Sequence, residues 1–310
     1  MKKQRRSILL LGVLAVIVLV GTLLSFEILF PKESLSTDRT TPVYSNDETV
    51  RFAIIGDYGL SGDPEADVAE MVKSWGVDFI VTVGDNNYSK LAPLTMEENL
   101  GQYYGEFIGG YGDNDEQSNR FFPALGNHDW NFIICETEPC RGAYFDYFSL
   151  PGNERYYDFI WGPIHFFILD SDEREPDGIS PDSLQGRWLE DRLKNSVSEW
   201  NVVIAHHPPY SSGERGPTPY MAWPYKEWGA DLLLSGHSHT YERLIVDDFT
   251  YIINGLGGKS IHEFEDALPT ENIRYNDDYG AMLVDVTKTT MNFQFIARTA
   301  EEIDSFALQH

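Results

Sequence analysis

The chain has 310 residues and carries 23 Lys+Arg against 49 Asp+Glu, a formal charge of −26. That balance excludes a basic track for nucleic acid, because nothing offsets phosphate repulsion along it. Hydrophobic residues at 42% allow a buried core, and the length fits one large domain or two small ones. The acidity fits a solvated surface, and a cation site would draw on only a few of the carboxylates.

Lys2, Lys3, Arg5 and Arg6 precede an apolar run from Ile8 to Leu24, which Phe26, Ile28, Leu29 and Phe30 extend past Glu27. About 20 apolar residues suffice to cross a bilayer as a helix. Residues 1–30 are therefore read as an uncleaved membrane anchor, with a cleaved signal peptide as the alternative. The basic cluster would stay in the cytoplasm. The expected protein is membrane-anchored or secreted, with its folded part extracytoplasmic. Residues 31–49, rich in Ser, Thr, Asp and Pro, read as a linker, and residues 50–310 as one domain.

From Val50 the pattern is α/β. Apolar strands are expected at Arg51–Gly56, Asp78–Gly84, Phe121–Leu125, Ile164–Leu169, Asn201–Ala205 and Asp231–Ser235. Helices are expected at Pro64–Trp75, Thr95–Phe107 and Asp182–Val197, the last opening after Ser180-Pro181. Arg243–Asn254, Gly280–Val286 and Met291–Ala297 read as strands of an antiparallel section that closes the domain. Cys135 and Cys140 bracket Glu136-Thr137-Glu138-Pro139. Spacing alone leaves a small-loop disulfide and two free thiols open, and an exported domain favours the disulfide.

Polar residues collect just past the strand ends, where open α/β sheets place ligands. They are Asp57, then Asp85 and Tyr88 in Gly84-Asp85-Asn86-Asn87-Tyr88, then Asn127 and His128 in Gly126-Asn127-His128-Asp129. His206 follows Val203-Ile204-Ala205, and His237 and His239 stand in Gly236-His237-Ser238-His239. The glycines before them suit tight turns. Leaving His128 aside, the two Asp, Tyr88, Asn127 and the three His supply seven oxygen and nitrogen donors, more than one ion uses while keeping an open position. Two ions can use them if one carboxylate bridges. Imidazole, carboxylate and phenolate suit Zn, Fe or Mn, and a metal pair about 3.5–4 Å apart is a clamp for phosphate esters. On an extended backbone His237 and His239 would point the same way, toward the same pair of ions.

In this order the motifs resemble the calcineurin-like metallophosphoesterase superfamily, and within it most closely the purple acid phosphatases. The superfamily usually has His two residues after the first Asp, and this chain has Gly59. Tyr88 stands in for that ligand, as the tyrosinate of the purple branch. Gly236-His237-Ser238-His239-Thr240-Tyr241-Glu242-Arg243 is similar to plant-type members. The resemblance implies an α/β fold with a sandwich of two mixed β-sheets flanked by helices in α-β-β-α layers, forming a single catalytic domain. It implies that Asp57, Asp85, Tyr88 and His239 hold one ion, in the family Fe(III). Asp85, Asn127, His206 and His237 would hold a second, in the family Fe, Zn or Mn, with Asp85 bridging. The Val-x-x-His spacing selects His206 over the adjacent His207.

The function so implied is hydrolysis of phosphate monoesters by a metal-bound hydroxide attacking phosphorus. The substrate would be a small phosphorylated molecule. A phosphodiesterase or nucleotide pyrophosphatase on the same scaffold is the alternative, and a non-catalytic surface binding protein a more distant one. His128 would stabilise the phosphoryl group or protonate the leaving oxygen. Asp129 would orient it, or instead serve a turn or helix cap. Where the purple acid phosphatases usually carry a substrate-binding His, this chain has Arg215 in Gly213-Glu214-Arg215-Gly216. Arginine binds phosphate oxygens through its planar fork and stays protonated. Trp130 and Phe132 are candidates for a substrate-facing wall. Gly255-Leu256-Gly257-Gly258 reads as a turn that could also bring backbone to the site. His165, His262 and His310 read as structural or solvated.

Overall fold

The computed structural model describes residues 49–88, 92–115, 118–136, 139–265 and 272–310. The expected anchor and nearly all of the linker lie outside them. No helix among the described residues is long and apolar enough to cross a membrane.

In chain order the strands are β1 (Val50–Ile55), β2 (Phe79–Thr82), β3 (Phe121–Pro123), β4 (Ile133–Ile134), β5 (Arg141–Gly142), β6 (Tyr157–Trp161), β7 (Ile164–Leu169) and β8 (Trp200–Ala205). They continue as β9 (Leu232–Ser235), β10 (Tyr241–Val246), β11 (Phe249–Asn254), β12 (Ile273–Tyr275), β13 (Gly280–Val286), β14 (Thr290–Ala297) and β15 (Glu302–Gln309). The α-helices of four residues or more among the described residues are α1 (Asp63–Ser74), α2 (Ala92–Met96), α3 (Ala143–Tyr147), α4 (Leu184–Lys194) and α5 (Tyr225–Trp228).

Two mixed sheets form. One has the order β15-β14-β13-β1-β2-β3, the other β12-β10-β11-β9-β8-β7-β6. The β1, β2 and β3 strands run parallel, as do β7, β8, β9 and β11. These strands are apolar almost throughout, as strands buried on both faces must be. Aromatic rings fill the space between the sheets: Phe52 lies 5.3 Å from Phe166, and Phe122 stacks on Phe159 at 3.8 Å. The α1 helix buries Val68, Ala69 and Val72 in the same core. Leu189 and Leu193 of α4 join Trp223, Trp228 and Leu233 in a second core on the far side of the other sheet. The result is a layered α/β sandwich of two mixed sheets, as the resemblance implies.

The strand positions follow the apolar runs, and three details differ from expectation. The antiparallel tail does not form one section: β10 to β12 extend one sheet, and β13 to β15 the other. The expected helix over 95–107 is broken, with a wide π turn at Glu97–Gly101 after α2. That turn buries Asn99, which donates to Asn87 Oδ1 at 2.8 Å and accepts from the Ser61 amide at 3.1 Å. The cap of α4 is Ser183, whose hydroxyl accepts from Gly186 N at 3.0 Å.

Candidate metal centre

Asp57 follows β1, Asp85 follows β2, Asn127 follows β3, His206 follows β8, and His237 and His239 lie between β9 and β10. Both sheets thus deliver donors from the C-terminal ends of their parallel strands to one place.

The donors fall into two sets. In the first, Tyr88 Oη lies 3.0 Å from Asp57 Oδ1 and 3.0 Å from His239 Nε2. Ligand atoms of Asp57, Asp85 and His239 all lie within 4.8 Å of one another. In the second, His206 Nε2 lies 3.2 Å from Asn127 Oδ1 and 3.4 Å from Asp85 Oδ1. His237 Nδ1 is 3.0 Å from the same Asn127 oxygen. Asp85 is common to both sets.

The chemistry of these contacts calls for cations. His206 Nδ1 sits 2.8 Å from the Val83 carbonyl, which only accepts, so that nitrogen carries the hydrogen. In a neutral ring Nε2 then aims a lone pair at two acceptor oxygens, on Asn127 and Asp85. His239 is set the same way, with Nδ1 facing the Ser260 carbonyl at 3.2 Å and Nε2 facing Asp57. Metal-binding imidazoles are commonly oriented by such a bond from their other nitrogen. Burial opposes a charge on His206, yet Asp85 beside it raises its pKa to about 10. Burial likewise opposes the charge of Asp85, and His206 nonetheless holds its carboxyl well below the usual range. Burial, then Asp57 and Asp85, push the Tyr88 phenol up. The residues fit a pair of metal ions.

The backbone at the donors is unusual. Asp57, Asp85, His237 and His239 have φ of 53°, 56°, 67° and 52°. The left-handed region costs a non-glycine residue roughly 1 kcal/mol or more and concentrates at functional sites. The expected extended geometry at His237 and His239 is therefore corrected, and their rings go to different donor sets. Amides of the turns brace the carboxylates: His237 N donates to Asp57 Oδ2 at 2.8 Å, and His128 N to Asp85 Oδ1 at 2.8 Å.

Gly59 and Tyr88 form one geometric unit. A Cβ at Gly59 would lie 2.0 Å from the Asn86 carbonyl oxygen, so no side chain fits there. The same loop returns a hydrogen bond, Tyr88 N to Gly59 O at 2.9 Å, and carries the phenol to the site. The Gly255–Gly258 turn does approach the centre. A Cβ at Gly255 would lie 2.8 Å from His239 N and 3.0 Å from Asp57 Oδ2.

Around the donors, His128 packs its ring 4.3 Å from that of Tyr88 and stays half-buried. Burial lowers its pKa. Asp129 turns away from it: its carboxylate accepts from Gly126 N at 2.8 Å and Asn86 Nδ2 at 2.9 Å. That is the turn role. Burial and then Asp85 push Asp129 up to about 7. Arg215 is exposed and has no ion pair or hydrogen bond among the described residues. Its charge is felt at His128, His237 and His262.

His207 also reaches the centre, with its ring 4.4 Å from that of His237 and Nδ1 2.9 Å from Ser171 Oγ. Burial, then His206, lower it to about 4. Trp130 is not a substrate-facing wall. It is 4% exposed, and its indole N–H donates to buried Asp170 at 2.8 Å. The Phe132 side chain lies outside the described ones.

Sequence reasoning gave little weight to His262 and passed over Lys259. His262 stacks on His239 at 4.3 Å, and Lys259 Nζ stands 5.3 Å from the centre of the Tyr88 ring. Neither follows a strand end in a motif, so position in the chain held no signal for them. His165 is structural, bonded to Asp158 at 2.8 Å. Cys135 and Cys140 are joined as a disulfide.

The profile of the calcineurin-like phosphoesterase family matches residues 50–241. Purple acid phosphatase 17 of Arabidopsis thaliana is 25% identical over 69% of this chain and 70% of its own length. Tartrate-resistant acid phosphatase type 5 of Oryctolagus cuniculus is 23% identical over 75% of this chain and 80% of its own. The probable purple acid phosphatase 20 of Arabidopsis thaliana is 28% identical, and the match spans 63% of this chain and only 46% of that protein. Among solved structures, purple acid phosphatase PPD1 from yellow lupin (Lupinus luteus) superposes with a TM-score of 0.66 at 17% identity, over 86% of this chain and 55% of that one. GAP50, the anchor in the inner membrane complex of Plasmodium, superposes with a TM-score of 0.64 at 18% identity, over 84% and 89%. The chain belongs to the calcineurin-like phosphoesterase family, with purple acid phosphatases among its relatives.

Proposed function

We propose that this chain hydrolyses phosphate monoesters at a dinuclear metal site, as a purple acid phosphatase-like enzyme. The observation that carries this reading is Asp85, whose carboxylate belongs to both donor sets. Asp57, Asp85, Tyr88 and His239 would hold Fe(III), and Asp85, Asn127, His206 and His237 would hold Fe, Zn or Mn. When bound, the ions supply positive charge for phosphoryl oxygens and make water acidic enough to ionise near neutral pH.

The chain supplies the rest. Buried carboxylates and imidazoles fix the donors before substrate arrives, so little reorganisation accompanies reaction. His128, beside Tyr88 and half-exposed, donates a hydrogen bond to the phosphoryl group or the leaving oxygen. Arg215, exposed at the rim, binds phosphoryl oxygens through its planar fork. The disulfide and the basic-then-apolar N-terminus support an extracytoplasmic, membrane-anchored or secreted location.

The test is hydrolysis of an aryl phosphate monoester against the matching diester by protein reconstituted with iron and zinc. Monoester preference, lost in His206→Ala and Asp85→Asn, supports the reading. A diester preference moves the function to phosphodiesterase on the same site.

A further inference from the structure

A cavity of about 380 Å³ opens beside the donor cluster, lined by Asp172, Glu173, Arg174, His207 and Tyr220. It shares His207 with the cluster, and a ring nitrogen of His207 lies within 4.8 Å of ligand atoms of His206 and His237. Arg174 ties the wall to the third motif, donating to the Asn127 carbonyl at 2.9 Å. A substrate whose phosphoryl group sits at the donors has this cavity beside it.

The wall is built rather than loose. Gln185 clamps both ends of its loop: Oε1 accepts from Asp170 N at 2.8 Å, and Nε2 donates to the carbonyls of Asp170 at 2.9 Å and Gly178 at 3.0 Å. Behind the loop, fully buried Arg155 bonds Glu175 at 2.9 Å and Asp177 at 2.7 Å. Groups held this way lose little freedom on binding.

The charges of the wall set what it takes. Arg174 Nε lies 2.6 Å from Asp172 Oδ1, so those two neutralise each other. Glu173 is exposed and has no ion pair or hydrogen bond among the described residues. Its charge remains uncompensated. Asp172 and Glu173 accept hydrogen bonds, and the Tyr220 hydroxyl both accepts and donates.

Building on the monoesterase reading, we propose that this cavity is the leaving-group subsite. It selects phosphate esters of neutral or cationic polar alcohols, such as polyol and aminoalkyl phosphates, over esters that carry a carboxylate or a second phosphate. The ester bond broken is P–O: water supplies the oxygen to phosphorus, and the alcohol leaves with a proton.

The test compares kcat/KM of the metal-loaded full chain for glycerol 3-phosphate and 3-phosphoglycerate, nearly isosteric esters that differ by a carboxylate, with O-phosphoethanolamine as the cationic case. Glycerol 3-phosphate and O-phosphoethanolamine should each exceed 3-phosphoglycerate by about tenfold at low salt, and 0.5 M salt should narrow the gap. Glu173→Gln should shrink the ratio about threefold, and Glu173→Lys should shrink it further or reverse it. Glu301→Gln, which changes net charge equally at the β14–β15 turn, should leave it unchanged. A wild-type preference for 3-phosphoglycerate, or a ratio that Glu173→Lys does not move, overturns the subsite while monoesterase activity stands. Turnover of diesters with none of the monoesters overturns the subsite and the monoesterase reading together.

Discussion

The phenol oxygen of Tyr88 lies 3.0 Å from Asp57 Oδ1, across a separation of 31 residues. The same oxygen is 3.0 Å from His239 Nε2, so the hydroxyl sits where three donors converge. Tyr88→Phe removes one donor of the set without disturbing the loop. We expect the loaded protein to fall from two ions toward one by elemental analysis, and any visible phenolate-to-iron absorption to disappear. A variant that keeps both ions and its absorption places Tyr88 outside the centre.

Glu65 is a buried carboxyl whose two oxygens make no well-formed hydrogen bond among the described residues, with the Leu60 backbone amide alone opposing the effect of burial. Burial raises its pKa to about 10. Its folded pKa thus lies above its unfolded value near 4.5. The stability it allows is complete below that lower value and is lost as pH rises toward the upper one. Glu65→Gln keeps the shape and removes the ionisation. In urea titrations the variant should exceed the wild type by at least about 1 kcal/mol at pH 9, and the advantage should vanish by pH 4. Equal pH slopes for the two proteins would show that Glu65 does not titrate differently on folding.

Arg155 and Glu175 are 1% and 0% exposed in their side chains and lie 2.9 Å apart. Arg155→Met leaves a carboxylate buried without its counter-ion. Breaking such a pair costs about 3–5 kcal/mol. Chemical denaturation should show that loss at neutral pH. Arg155→Met/Glu175→Leu should recover much of it, since removing both charges also removes the unpaired one. A double variant no more stable than the single variant points to the Asp177 bond as the larger contribution.

Arg215 predicts a pH profile. A histidine at this place would lose its charge near pH 6.5, whereas arginine does not. Wild-type KM for an aryl phosphate should therefore stay flat between pH 6 and pH 8. Arg215→His should make KM rise over that interval, and Arg215→Ala should raise it about tenfold at every pH. A wild-type KM that climbs through pH 6 to 8 assigns phosphate binding to a titrating group elsewhere.

Much of the donor set was legible because each motif follows an apolar strand, and parallel strands end at a common edge. Asp57, Asp85, Asn127, His206 and His237 are brought together by that rule alone. The helix through Leu100 was legible as helix but not as a broken one, since Asn99 turns inward for tertiary bonds that no local pattern encodes. Trp130 was misplaced because it follows the motif that carries Asn127 and His128, while its indole is claimed by Asp170, 40 residues away. His262 and Lys259 arrive through the Gly255–Gly258 turn, whose close approach depends on atoms of Gly56 and His239. Glu173 carries no motif at all, and its role comes from the cavity it lines.

The collision at Gly59 bears on how this centre can change. The Asn86 carbonyl occupies the space a side chain there would need, and the loop that places it also delivers Tyr88. Introducing histidine at 59 would require that loop to retreat, which would withdraw the phenol. Histidine-type and tyrosine-type centres are therefore exclusive alternatives on this backbone. On this backbone a single replacement at 59 would not convert one donor set into the other. The passage requires a loop exchange, so directed evolution of this site by point mutation alone should leave its ligand type unchanged.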